Sequence, residues 1–127
     1  MNQPFVCPLF HHQGDRWSIV FKVAVNLTGK SCRFQAYSSA GIKVINCDTA
    51  TSTLNLSYSD IETFVVNGVT YTGVTTLTPI LTLAQSAALP ASIGWATAMT
   101  YGVEDYTTGD TYFTGTIEVS LDESVTI

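Results

Sequence analysis

Chemistry in a protein chain begins with side chains that can hold a metal, move a proton or attack a carbonyl. This sequence contains each type in small numbers. Cys7, His11, His12, Cys32 and Cys47 are zinc-ligand types, but structural zinc sites draw on close pairs such as C-x-x-C, and none occurs here. Cys32 and Cys47 fall inside strand-like runs, where a free cysteine behaves as a small buried apolar residue. A thiol nucleophile would need an imidazole beside it and an acid to orient that imidazole, and nothing in the spacing selects such a trio. Glu104-Asp105 and Asp122-Glu123 are adjacent carboxylates that could serve hydrolysis or calcium. Both flank turns or the terminus, where solvated acids are ordinary. The glycines show neither GxGxxG nor GxxxxGK spacing, so no phosphate loop is present. Asn26-Leu27-Thr28 and Asn55-Leu56-Ser57 fit the glycosylation sequon as chance matches. The residues therefore predict no catalytic site, no cofactor and no metal.

The elements that would carry any surface chemistry are strands. Trp17, Ile19, Phe21, Val23 and Val25 alternate with Ser18 and Lys22, the mark of a half-buried strand. This run, followed by the Asn26–Gly29 turn, reads as the centre of the fold. Ser31–Ser38 places Cys32, Phe34 and Ala36 on one face. Short β-rich runs follow at Ile42–Asn46 and Thr53–Ser57, the second with Leu54 and Leu56 inward. Ser59-Asp60-Ile61-Glu62 has the S-x-x-E pattern of a capping box and predicts a helical turn. Asn67-Gly68 between two β-rich runs predicts a type I′ hairpin turn, because both central residues need positive φ. Val74–Leu83 is interrupted by Pro79, and Ala84–Leu89 is the one place for a turn or two of helix. Strands at Trp95–Tyr101 and Thr111–Leu121 flank a loop at Asp105–Asp110. The expectation is an all-β antiparallel sandwich, Ig-like or jelly-roll-like, of seven to nine strands. Trp17, Ile19, Phe21, Val23, Cys32, Phe34, Leu54, Leu56, Ile117 and Val119 are its expected core.

At 127 residues the chain has the length of one domain: residues 1–13 as an N-terminal arm or edge strand, and 14–127 as the sandwich. Met1–Phe10 has no basic start and no apolar core of signal-peptide length. Three cysteines without paired spacing read as free thiols in a reducing compartment. No run approaches the ~18 apolar residues of a membrane helix. The net charge of −5 and the scatter of Arg16, Lys22, Lys30, Arg33 and Lys43 argue against nucleic acid, which requires clustered positive charge. No membrane partner is expected either.

In order, the signals resemble the N-terminal domain family of the baseplate upper proteins of lactococcal siphophages. Gly14-Asp15 precedes the alternating strand, then come Leu27-Thr28-Gly29 and Arg33 beside Phe34-Gln35. Gly94-Trp95 leads to Tyr101-Gly102-Val103-Glu104, and Gly115-Thr116-Ile117-Glu118-Val119 precedes Val125-Thr126. The resemblance implies a multi-copy structural module of a bacteriophage virion, assembled in the host cytoplasm, without catalysis. Its implied partners are other tail, baseplate or capsid proteins and itself, as a homo-oligomer within the particle. Longer family members continue into helices and a receptor-binding assembly, so this chain fits an adaptor, connector or decoration role. Residues 61–73 read as an insertion into the family pattern.

Two segments carry the expected contacts. One is the arm, with Phe5, Val6, Leu9 and Phe10; the other is the hairpin tip, with Val65, Val66, Asn67, Gly68, Val69 and Tyr71. The alternative is a carbohydrate-binding or adhesin sandwich, which would need exposed tyrosines gathered on one face.

Overall fold

Two layers of strand close on each other through a cluster of aromatic rings. The computed structural model describes residues 5–6, 9–12, 15–87, 89 and 97–120. Its strands are β1 (Phe5–Val6), β2 (Leu9–His12), β3 (Phe21–Val23), β4 (Cys32–Ser38), β5 (Lys43–Asp48), β6 (Leu54–Val66), β7 (Val69–Pro79), β8 (Thr97–Asp105) and β9 (Asp110–Ser120). A single short helix among the described residues, α1 (Leu83–Ala87), lies between β7 and β8. The larger sheet runs β1-β9-β8-β4-β5, and β2 also pairs with β9. The smaller sheet runs β3-β7-β6. The chain is an all-β sandwich.

Phe21 is the bridge between the layers. Its ring lies 5.2 Å from Phe34, 5.8 Å from Tyr101 and 5.2 Å from Phe113, and Trp17 reaches Phe34 at 5.8 Å. Tilted aromatic pairs at such separations add to simple area burial. Around them Cys32, Phe34, Ala36, Leu77, Val103, Ile117 and Val119 are fully buried. Eight of the ten expected core residues are buried, and Ile19 and Leu56 pack partly buried against the same cluster.

The Trp17–Val25 run is not the centre of a sheet. Only Phe21–Val23 pairs, along the edge of β7, with Phe21 opposite Leu77 and Val23 opposite Thr75. Its period-2 burial is real, with Trp17, Phe21 and Val23 in and Ser18, Val20 and Lys22 out. Alternation reports which face meets the core and says nothing of how many residues join a ladder. The expected end residue Val25 is 40% exposed. In the larger sheet β8 is the middle strand, and β4 is paired on both sides, with β8 from Cys32 to Ser38 and with β5 from Arg33 to Tyr37.

Ser59–Glu62 forms no helical turn. The segment is strand, and the register slips between Ser59 and Thr63, where three β6 residues oppose Gly73 alone. The cap contact itself is made, since the Glu62 N–H donates to Ser59 Oγ at 3.1 Å. The reciprocal box is at Thr82 and Gln85: Gln85 N–H donates to Thr82 Oγ1 at 3.1 Å, and Thr82 N–H to Gln85 Oε1 at 2.8 Å. Both quartets carry the pattern, but Ser59–Glu62 is followed by Thr63-Phe64-Val65-Val66, which favours strand. Thr82–Gln85 encloses Leu83-Ala84, which favours helix.

The arm runs along its own chain's sheet. Phe5 opposes Phe113 and Leu9 opposes Ile117, both strands in the same parallel register with β9. The rest of the sandwich ladder is antiparallel. A buried polar chain fastens the arm: His11 Nε2 lies 2.7 Å from Ser86 Oγ, and Ser86 donates to the Asp15 carbonyl at 2.5 Å. The expected residues Cys7, Gly14, Gly94, Trp95, Leu121, Asp122, Glu123, Val125 and Thr126 lie outside the described residues.

Candidate interaction surface

The β6–β7 hairpin has two halves with different surroundings. Below the register slip, Leu54 and Leu77 are buried at 2% and 0% exposure against the larger sheet. Above it the ladder continues from Thr63–Thr72 through Phe64–Tyr71 and Val65–Thr70 to Val66–Val69. Asn67 and Gly68 turn the chain with φ of 52° and 79°, the two positive values that a type I′ turn requires. Strand β3 covers β7 only at Thr75–Leu77, so among the described residues no third strand reaches this upper half. Every described side chain from Thr63 to Thr72 is exposed. Ile61 is 84% exposed, Val65 63% and Val69 51%.

Gly73 and Tyr58 mark the boundary. Gly73 has φ of 94°, and an added Cβ would lie 2.5 Å from the Tyr58 hydroxyl. Glycine is needed here twice over, for the backbone angle and for the close approach. On the other strand the bulge is braced by Lys22 Nζ on Glu62 Oε2 at 2.5 Å. The upper half therefore stands out as a two-stranded ribbon on a fixed base.

The remaining expected contact residues are divided. Leu9 is turned into the chain's own core at 7% exposure, so it is not open to a neighbour while β2 stays paired. Phe10 is 53% exposed. The side chains of Phe5, Val6 and Val66 lie outside what is described. Sequence reasoning did not single out Ile61, the most exposed large apolar residue of the ribbon; its only signal was an apolar residue between Asp60 and Glu62.

The outer face of the larger sheet is polar and paired with itself. Arg33 bonds Glu104 at 2.5 Å and lies 4.9 Å over the Tyr106 ring. Gln35 Nε2 donates to Asn46 Oδ1 at 2.9 Å, and Lys43 Nζ stands 6.0 Å from the Tyr37 ring. The exposed tyrosines do not share one face: Tyr37 is on this sheet, whereas Tyr58 and Tyr71 are on the hairpin.

Among the described residues, those with catalytic or metal-binding types are apart or occupied. Cys32 and Cys47 are free and buried, and burial pushes each thiol up to about 11, aided at Cys32 by Asp105. Such groups stay thiols at neutral pH, whereas nucleophiles and metal ligands are thiolates. Glu104 and Asp105 part because alternate strand residues face opposite ways: Glu104 meets Arg33, and buried Asp105 accepts the Thr107 N–H at 2.9 Å. In the His11–Ser86 pair the hydroxyl proton goes to the Asp15 carbonyl, so the ring nitrogen donates to the hydroxyl. That polarity is opposite to the one a base needs to activate serine. Among the described residues no three His, Cys, Asp or Glu side chains converge on a point. Comparison with family models, curated proteins and solved structures yields no match for this chain.

Proposed function

We propose that this chain is a structural module of a bacteriophage particle, present in many copies and joined to its neighbours by surface contact. In this reading it serves as an adaptor, anchoring or decoration component of the tail, baseplate or head. It performs no catalysis and needs no cofactor. The observation that carries the reading is the ribbon above Gly73, which exposes Val65 on one face, Val69 and Tyr71 on the other, and Ile61 at its base. A two-stranded hairpin exposed on both faces gains little stability of its own, and grouped exposed apolar residues on a protein surface mark contact sites. The order of motifs resembling phage baseplate modules supplies the particle context. The low charged content of the chain, 12% of its residues, and the pairing of polar groups with one another on the larger sheet fit a surface packed among neighbours.

Two measurements test this. Mass spectrometry of purified virions whose genome encodes the chain should find it in stoichiometric amount, and its absence would sink the proposal. Replacing Thr63–Thr72 by Asn-Gly should leave the isolated domain's melting temperature nearly unchanged while incorporation falls. A shortened chain that incorporates normally would remove the ribbon from the assembly role.

A further inference from the structure

The β6 edge of the ribbon is an unpaired strand whose pattern fits its own copy. A two-residue hairpin turn closes on a hydrogen-bonded pair, here Val66–Val69. Bonded and non-bonded pairs alternate along an antiparallel ladder, so Phe64–Tyr71 bonds next, while Val65 and Thr63 turn their N–H and C=O groups away from β7. Those outward groups face no strand among the described residues, because β6 pairs only with β7. The side chains along this edge, Ile61, Thr63 and Val65, are all β-branched and exposed, suited to a sheet.

We infer that two copies of this chain join edge to edge through β6, antiparallel about a two-fold axis at Thr63. The inference rests on reading the ribbon as an assembly element and names its partner. A two-fold interface must be self-complementary. Pairing about Thr63 sets Thr63 opposite its counterpart and places Ile61 opposite Val65 twice, matching apolar to apolar across the seam. Shifting the axis by one residue to Phe64 would set Ile61 against Asn67 and Thr63 against Val65, losing both apolar matches. Charge does not oppose the Thr63 axis. Glu62 is neutralised within each copy by Lys22, and the two Asp60 carboxylates stand six residues apart along the strands. That is roughly 20 Å, beyond the ~8 Å screening length of physiological salt. Each end of the seam runs into the Ser59–Thr63 bulge of one copy, where Ile61 lies, and stops short of the Asn67-Gly68 turn of the other. The seam is therefore short and joins the two ribbons into a four-stranded sheet β7-β6-β6-β7.

The test uses the full chain at concentrations up to about 1 mM, since a short seam gives weak affinity. Sedimentation velocity should show a concentration-dependent monomer–dimer equilibrium. Thr63→Pro removes one outward N–H and no bond to β7, and proline is tolerated at strand edges. It should abolish the dimer while leaving the melting temperature unchanged. Thr63→Cys should form a disulfide-linked dimer on mild oxidation, because paired strands bring Cα atoms within disulfide reach, and Thr72→Cys on the outer strand β7 should not. A wild-type chain that stays monomeric throughout overturns the inference. So does a dimer that survives Thr63→Pro, or Thr63→Cys linking no better than Thr72→Cys. If the ribbon is still required for incorporation in any of those cases, it meets a different protein. The structural-module reading then stands while the self-pairing falls.

Discussion

The lower and upper halves of the β6–β7 hairpin are made from the same two strands and differ in what they face. Below the slip, Leu54 and Leu77 lie under the larger sheet, and Thr75 ties the neighbouring loop by accepting the Leu27 N–H at 3.0 Å and donating to the Val25 carbonyl at 2.5 Å. Above it, the ladder is as regular, yet Val69, on the continuation of the inward face of β7, is half exposed where the sheet would be. Backbone pairing is therefore common to both halves, and burial is confined to one. Most of the stabilisation follows burial, because a hydrogen bond in the chain replaces one to water and contributes little net. The lower half should behave as core and the upper half as surface, whatever their shared secondary structure.

Substitutions can break that contrast, and the largest effect is expected at the bridge between layers. Phe21→Ala should lower unfolding free energy by about 3–5 kcal/mol in urea titrations; a loss under about 1 kcal/mol would mean that Phe21 does not join the sheets. Thr75→Val keeps the shape but leaves a buried N–H and a carbonyl without their partner, which should cost about 2–3 kcal/mol. A neutral result would show that water reaches Val25 and Leu27. Gly73→Ala forces a side chain into positive φ and against Tyr58, for a loss of about 1–3 kcal/mol. Gly73→Ala together with Tyr58→Phe should recover part of it, since the contact is to the hydroxyl; no recovery would assign the whole cost to the backbone.

A smaller effect follows from the buried thiols. The folded chain holds the Cys32 and Cys47 protons up to about 11, against 9.0 for an unperturbed thiol. Stability from this source is therefore complete below about pH 9 and is lost as pH rises toward 11, by about 1 kcal/mol per thiol at pH 10. Comparing urea midpoints of the wild type and Cys32→Ala/Cys47→Ala at about pH 8 and pH 10 isolates it; an equal decline in both proteins would place the cause elsewhere. The smallest effect belongs to the ribbon. Val65→Ala should change stability by less than about 0.5 kcal/mol at micromolar concentration, and a loss comparable to Phe21→Ala would make the upper half part of the core.

Much of this was legible in the sequence because it is local. Alternation identified the buried faces at Phe34, Leu54 and Ile117, and Asn67-Gly68 fixed the hairpin turn, since few residues tolerate positive φ at two successive positions. Both the sheet-forming character and the near absence of helix follow from β-branched content and turn spacing. The capping pattern at Ser59–Glu62 was misread for the same reason that it was visible: the contact is local and compatible with a helix start or a strand bulge.

What only the tertiary structure decided is which strands have neighbours. Nothing in Trp17–Val25 says that three residues pair at an edge, because a ladder is made with β7, some fifty residues away. Nothing in Leu9 or His11 says that the arm lies beside β9 of its own chain, where Ser86 meets His11. Nothing in Val69 says that the opposing sheet stops short of it. The residues determined which faces are apolar and where the chain turns, through side-chain chemistry and backbone sterics acting over a few residues. The fold alone determined which of those apolar faces is covered, because covering requires a second surface brought from far along the chain.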